Sequence, residues 1–211
     1  MKKFRQSQLG DIAAAIKRGA VVALPTETVY GLAVRFDDMA AVAQLAAIKE
    51  RDYDSDKVFT LMLPAVELIK KYAVLDVKTE NIISRYLPDE LTVVLPKNPE
   101  FTNPYFDNRP TIGIRVPNHQ FMLGLLALAG PLIVTSANNK GLIPALDSQS
   151  IERDLPEVDA VVEGQSGNQP PTTVVNFTTE KPTILRQGSV SLDLDSLQES
   201  LQDQLPQEEA L

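Results

Sequence analysis

The 211-residue chain has no cysteine, no tryptophan and a single histidine. Without cysteine there is no disulfide, no thiolate nucleophile and no cysteine-ligated metal. His119 alone cannot build a histidine metal site, and we expect it to be structural. The sequence also has no Walker A motif and no Rossmann glycine pattern. An enzyme with these absences is expected to work by positioning substrates and stabilising charge, without a covalent intermediate.

Long apolar runs are absent as well. The segment "FMLGLLALAG" is too short to span a bilayer and is typical of a buried helix. The N-terminal "MKKFRQSQLGD" carries basic residues with no apolar stretch behind them, so it does not predict a secretory signal. We therefore expect a cytoplasmic protein with no membrane association. The lack of cysteine fits a reducing compartment.

The net charge of −8 is concentrated near the C-terminus. From Ser191 onward the chain has six acidic residues and no lysine or arginine, which leaves 22 acidic and 20 basic residues in positions 1–190. A nearly neutral body can still hold a basic pocket. We predict one domain over residues 1–190 and an acidic tail over 191–211. In that tail, Leu194, Leu197 and Leu201 favour a short surface helix.

Strand-like and helix-like segments alternate along residues 1–190 with short connections. This pattern predicts an α/β fold with a mixed sheet. The last three strand-like segments lie close together in the chain, so we expect an antiparallel portion there. The predicted strands are "AVVALP", "GLAVRFD", "KVFTLMLP", "LTVVLP", "PTIGIRVP", "PLIVT", "VDAVVEG", "TTVVNF" and "PTILRQG".

Polar side chains collect where two of these strands end, which is where ligand sites form in open α/β sheets. "PTETVYGL" brings Thr26, Thr28 and Tyr30 to the end of a buried strand. A turn explains any one of these hydroxyls, but three within five residues indicate a site. "TSANNKG" brings Ser136 and Asn138 to the end of another strand, where local turn formation is the simpler explanation for the pair taken alone.

Isolated cations occur at further strand and helix ends. Lys49 and Arg51 end a predicted helix, where they either interact with the helix dipole or bind an anion. Arg115 and Arg186 stand alone in apolar strands, so each faces either solvent or a shared pocket for a polyanion. The same ambiguity applies to two hydroxyls in "PPTTVVNF", those of Thr172 and Thr173.

These motifs occur in an order that resembles one family. "LPTETVYGLAV", the K-x-R of residues 49–51, "IGIRVP", "TSAN", "TTVVNF" and "ILRQG" resemble the YrdC/Sua5/YciO family of L-threonylcarbamoyladenylate synthases over residues 6–190, in its single-domain form. The resemblance implies a twisted mixed α/β sheet (YrdC/RibB-like) with a large, concave and positively charged cavity.

The resemblance also implies a reaction. L-threonine, bicarbonate and ATP would give threonylcarbamoyl-AMP and pyrophosphate, with Mg²⁺ carried mainly by ATP oxygens. The product would pass to a separate tRNA threonylcarbamoyl transferase, which modifies adenosine 37 of tRNA. The enzyme would thus be a nucleotidyltransferase.

Residue roles follow from the same resemblance. Lys49 and Arg51 are expected to be the catalytic anion ligands and to be exposed. Alanine at either position should therefore abolish product with little loss of stability, since substitutions at exposed positions usually cost little. The threonine and carbamate group would contact Thr26, Thr28, Tyr30 and Thr173. The nucleotide would contact Ser136 and Asn138, with Arg115 and Arg186 near its phosphates.

Some positions depart from the family pattern. Asp52 replaces the usual proline after K-x-R, and Asp54 and Asp56 make that loop acidic, solvated and the best candidate for a lid. "PDE" replaces "PGP" at residues 88–90, and Gln187 replaces proline in "ILRPG". "FTLM" resembles the YciO branch instead.

Two alternative functions therefore stay open. One is a YciO-like paralogue that binds or hydrolyses nucleotides. The other is a protein that binds tRNA or double-stranded RNA weakly through phosphate contacts. The nearly neutral body and the lack of an RNA-binding signature weigh against the second alternative.

Overall fold

The computed structural model describes residues 1–50, 59–167 and 170–192. In this part of the chain, ten strands form one sheet and six α-helices pack on it. The strands are β1 (Lys2–Arg5), β2 (Val22–Leu24), β3 (Gly31–Arg35), β4 (Thr60–Met62), β5 (Leu91–Pro96), β6 (Thr111–Arg115), β7 (Leu132–Ser136), β8 (Ala160–Glu163), β9 (Thr173–Asn176) and β10 (Thr183–Arg186). The helices are α1 (Leu9–Lys17), α2 (Met39–Ile48), α3 (Ile69–Tyr72), α4 (Val77–Tyr86), α5 (Gln120–Ala129) and α6 (Ser148–Asp154), with a 3₁₀ turn at Val66–Leu68.

The sheet is mixed, and the α/β fold predicted from the sequence is confirmed. Its strand order is β1-β8-β2-β3-β7-β4-β6-β5-β9-β10. The pairs β1–β8, β2–β8, β4–β6 and β5–β9 are parallel, whereas β2–β3, β3–β7, β4–β7, β5–β6 and β9–β10 are antiparallel. Of the last three strands, only β9 and β10 pair with each other, since β8 lies near the opposite edge. The expected antiparallel portion is therefore limited to β9–β10.

Alternation along the strands gives the sheet two distinct faces. One face carries a large apolar cluster that includes Ile112 and Ile114 of β6, and it is covered by α2, α4 and α6. The other face carries a second cluster, built where α1 and α5 pack on β2, β7 and β8. In the β4–β6–β5–β9 half, residues of this second face line a cavity, so that half is open.

Side-chain caps fix the starts of three helices. The carboxylates of Asp38, Asp76 and Asp147 accept hydrogen bonds from the backbone N–H groups of Ala41, Thr79 and Ser150, at 3.1, 2.6 and 2.7 Å. Each bond satisfies a backbone donor that the first turn of a helix leaves free.

Strand β1 is the main element that the sequence pattern did not predict. Its four residues bury one side chain, Phe4, so the alternation is too short to be recognised. The strand pairs in parallel with β8, 158 positions away at Lys2 and Ala160, and only this long-range pairing defines it. No helix in the described part of the chain has the length and apolar character needed to cross a bilayer.

Candidate functional site

A cavity of about 670 Å³ occupies the open half of the sheet. Its floor consists of side chains that directly paired strands place on the same face. One row runs across Asn176, Val94, Gly113, Thr60 and Val134, which are register partners in succession. The walls come from the segments after β2, β7 and β9 and from β10. The concave site implied by the sequence motifs is therefore present in the fold.

The cavity is cationic and rich in hydroxyls. Among its described lining residues, the charged side chains are Arg115 and Arg186. Partial burial and the positive charge of Arg115 lower the pKa of Arg186 from its ordinary value, although a guanidinium keeps its charge. Two like charges that share one cavity favour an anionic ligand between them. The lining hydroxyls belong to Thr26, Thr28, Thr60, Thr92, Thr111, Thr135, Ser136, Thr172 and Thr178.

Arg115 enters the cavity because β6 alternates. Thr111, Gly113 and Arg115 point to the cavity, whereas Ile112 and Ile114 point into the core. The guanidinium is buried and pairs with the carboxylate of Glu27, with Nη2 2.6 Å from Oε1. Of the two alternatives open for Arg115, the structure therefore favours the shared pocket.

Thr26 and Thr28 of "PTETVYGL" form a tight turn at the cavity wall. The Thr26 hydroxyl donates to the Val29 carbonyl at 2.7 Å and accepts from the Thr28 N–H at 3.2 Å. The two hydroxyl oxygens of Thr26 and Thr28 lie 3.2 Å apart. Both residues are buried and both line the cavity, so the turn expected for one hydroxyl and the site expected for the group occur together.

Tyr30 borders the cavity, but its hydroxyl is directed elsewhere. The ring is fully buried in the apolar cluster of the opposite face. Its hydroxyl lies 2.8 and 2.9 Å from the carbonyls of Val162 and Gly164, and burial raises the pKa of Tyr30 above its ordinary value. The side chain thus ties the "PTETVYGL" segment to β8, and its phenol is committed to backbone carbonyls.

Lys49 holds the loop that follows β7. Its buried ammonium group donates to the Ser136 carbonyl and to the Asn138 side-chain oxygen, each at 2.8 Å, and also to the Asn138 carbonyl. The Ser136 hydroxyl donates to the same side-chain oxygen at 2.7 Å, and Asn138 Nδ2 donates to the Leu142 carbonyl at 2.8 Å. Ser136 and Asn138 line the cavity, whereas Lys49 lies behind them. The premise that Lys49 is exposed is therefore wrong.

The two adjacent threonines at the start of β9 face opposite sides of the sheet. Thr172 lines the cavity and binds Arg186, whose Nε and Nη2 lie 2.9 Å from the Thr172 carbonyl and hydroxyl oxygens. Thr173 is fully buried, and its hydroxyl donates to the Val190 carbonyl at 2.6 Å and accepts from the Gly188 N–H at 2.9 Å. Because side chains alternate along a strand, Thr172 faces the cavity and Thr173 contacts the C-terminal segment.

Seven of the ten predicted site residues meet at this cavity: Thr26, Thr28, Tyr30, Arg115, Ser136, Asn138 and Arg186. Lys49 and Thr173 stand behind its walls, and Arg51 lies outside the described residues, as does the acidic loop of Asp52, Asp54 and Asp56. Sequence reasoning missed Glu27 and Gly113. Alternation within "TIGIR" could have identified Gly113, because it lies two residues before Arg115 on the same strand.

Gly113 keeps the floor of the cavity open. A Cβ there would have one heavy atom within 4 Å, Thr92 Cγ2 at 3.8 Å. We expect Gly113→Val to fold with unchanged or greater stability, since valine suits a strand, and to raise KM at least ~10-fold by filling ligand space. Unfolding curves and steady-state kinetics measure the two effects.

Gly31→Ala is the matched control for Gly113→Val. Its Cβ would lie 2.8 Å from Val134 Cγ1, so this smaller substitution should destabilise the fold. A Gly113→Val protein with the wild-type KM for every substrate would show that the cavity floor does not contact ligand.

Comparison with known proteins gives consistent matches. The profile of the Sua5/YciO/YrdC family, described as "Telomere recombination", matches residues 14–188. A Mycobacterium leprae (strain TN) relative, provisionally named a threonylcarbamoyl-AMP synthase, is 32% identical over 197 residues, which cover 89% of this chain and 86% of the relative. Human threonylcarbamoyl-AMP synthase is 32% identical over 152 residues, which cover 72% of this chain and 53% of the human protein.

Solved structures share the fold. Pyrococcus abyssi Sua5, crystallised with L-threonine, aligns with a TM-score of 0.81 at 26% identity, over 93% of this chain and 59% of Sua5. Escherichia coli YciO aligns with a TM-score of 0.79 at 23% identity, over 92% of this chain and 95% of YciO. The likeness to YciO concerns the fold alone.

Proposed function

The chain belongs to the Sua5/YciO/YrdC family, and we propose that it is a threonylcarbamoyl-AMP synthase that acts on L-threonine, bicarbonate and ATP. Its class would be nucleotidyltransferase, because the AMP moiety of ATP is transferred to a carbamate. The product would serve a separate transferase that modifies tRNA.

The observation that carries this proposal is the cationic, hydroxyl-lined cavity. Arg115 and Arg186 bring two guanidinium groups to the lining of a cavity large enough for a nucleotide. Guanidinium forks suit phosphate and carboxylate oxygens, and the threonine hydroxyls suit neutral polar groups. MgATP, threonine and bicarbonate together present these same groups.

Two bond-forming steps are needed. The threonine amine attacks the bicarbonate carbon, water leaves, and a carbamate forms. A carbamate oxygen then attacks the α-phosphorus of ATP, the bond to the β-phosphate oxygen breaks, and pyrophosphate leaves with the electron pair. Negative charge gathers on the phosphate oxygens in this step, where positioned cations stabilise it.

We assign Arg115 and Arg186 to the phosphates and Ser136 with Asn138 to the nucleotide. Lys49 supports this nucleotide loop, because its ammonium group already donates to three oxygens of Ser136 and Asn138. Mg²⁺ would arrive as MgATP and be held by phosphate oxygens.

The remaining assignments concern the threonine and carbamate end. Thr26 and Thr28 form its wall, and Tyr30 fixes that wall to β8 through its hydroxyl. Thr173 acts indirectly, through its bonds to Gly188 and Val190. Arg51 stays a predicted anion ligand.

Omitting one substrate at a time tests the proposal. Protein, ATP, Mg²⁺, bicarbonate and threonine are mixed, and pyrophosphate release is followed with each component left out in turn. We expect release to require both threonine and bicarbonate. Pyrophosphate release that persists without threonine would contradict the synthase proposal and favour a nucleotide-hydrolysing protein like the YciO alternative.

A further inference from the structure

Glu27 forms a buried ion pair behind the cavity wall. The side chains of Arg115 and Glu27 are 6% and 11% exposed, and Arg115 Nη2 lies 2.6 Å from Glu27 Oε1. Arg115 lines the cavity, whereas Glu27 does not. The carboxylate therefore contacts a cavity residue from the rear and is not itself part of the ligand surface.

The backbone around Glu27 is held firmly. The Thr26 N–H donates to the Ser166 hydroxyl at 3.1 Å, and the Gly167 N–H donates to the Thr26 carbonyl at 3.1 Å. A Cβ at Gly167 would lie 1.8 Å from the Glu27 carbonyl oxygen, so the two backbones are in direct contact. The carboxylate thus projects from a fixed support, which is what orientation of a partner requires.

The surroundings of the pair provide few other partners. Glu27 Oε2, Arg115 Nε and His119 Nδ1 are buried without a hydrogen-bond partner among the described residues. Burial lowers the pKa of His119 from its ordinary value and so favours the neutral imidazole. Within the described chain, Glu27 is thus the side chain that holds the Arg115 guanidinium.

Electrostatic repulsion between Arg115 and Arg186 indicates a role for the contact between Glu27 and Arg115. Arg115 and Arg186 share the cavity, and the positive charge of one disfavours the charge of the other. A flexible arginine would turn away from a like charge. The carboxylate of Glu27 offsets this repulsion, because its negative charge lies 2.6 Å from Arg115 Nη2 and fixes the guanidinium in one orientation.

We propose that Glu27 is a positioning residue. Its carboxylate holds the Arg115 guanidinium in the orientation in which it binds an anionic group of the substrate in the cavity. This inference rests on the proposed function for its reaction. It assigns to the carboxylate of "PTETVYGL" a role that acts through a residue 88 positions further along the chain.

A double-mutant cycle tests the inference. Glu27→Ala is introduced into wild type and into Arg115→Lys, and kcat and KM are measured for adenylate formation in all four proteins. If Glu27 acts through Arg115, kcat/KM should fall at least 30-fold in the wild-type background and less than 3-fold in the Arg115→Lys background. Equal losses in both backgrounds would overturn the inference.

Two further measurements complete the test. If the Glu27→Ala protein shows no cooperative unfolding transition, it is not properly folded, and Glu27→Gln is used instead. The amide keeps an acceptor oxygen and loses the charge. A Glu27→Gln protein within 2-fold of wild type would then overturn the inference. If wild type forms no adenylate, the proposed function fails, and calorimetric titration with MgATP of the same four proteins decides the positioning role by the same non-additivity.

Discussion

Arg115→Ala is expected to lower kcat/KM for adenylate formation at least ~10²-fold and to destabilise the fold by about 3–5 kcal/mol. The activity falls because the substitution removes a cation that faces the cavity. The stability falls because the substitution leaves the buried Glu27 carboxylate without its charge partner. Urea unfolding and steady-state kinetics measure the two losses separately.

Arg186→Met is the matched control for the Arg115 prediction. It removes the other cavity guanidinium, but Arg186 is partly exposed and its bonds go to Thr172 alone among the described residues. We expect a large loss of activity with a change in unfolding free energy within about 1 kcal/mol. Wild-type kcat/KM in both variants would show that the cavity cations do not contact substrate.

Lys49→Ala is expected to abolish product and to lower the unfolding free energy by roughly 2–4 kcal/mol. The expected loss of stability replaces the small loss that would hold for an exposed lysine. The buried ammonium group joins the end of α2 to Ser136 and Asn138, and its removal takes one hydrogen-bond donor from each of three oxygens.

Lys49→Met separates packing from charge, because it keeps most of the apolar stem and loses the ammonium group. Its stability should lie between those of wild type and Lys49→Ala, while its activity should be as low as that of Lys49→Ala. Arg51→Ala, outside the described residues, is still expected to abolish product with little loss of stability. An active Lys49→Met protein would contradict the loop-holding role.

The parts of this protein that sequence could predict are those with local physical causes. The buried helix predicted from "FMLGLLALAG" is encoded within a few residues and corresponds to α5. The alternation of β6 is likewise local, and it places Arg115 and Gly113 on one face. Local patterns do not show which strand ends share one site. The order of the motifs along the chain did, since it grouped strand ends that are far apart in the chain.

The remaining features depend on long-range geometry. Thr172 and Thr173 are equivalent in sequence, and only the pairing of β9 with β5 decides which of them faces the cavity. The Tyr30 side chain borders the cavity, yet its hydroxyl group contacts backbone carbonyls more than 130 positions away, on β8 and just after it. Glu27 was missed for the same reason, because its partner Arg115 belongs to another strand end.

The central claim is that the cavity of Arg115 and Arg186 joins threonine, bicarbonate and ATP into one adenylate. The most direct test supplies ¹³C-labelled bicarbonate with MgATP and threonine and determines the mass of the adenylate product. We expect the labelled carbon to appear in threonylcarbamoyl-AMP with wild type and to be lost with Arg186→Met. An adenylate without the label, or equal labelled product from both proteins, would contradict the claim.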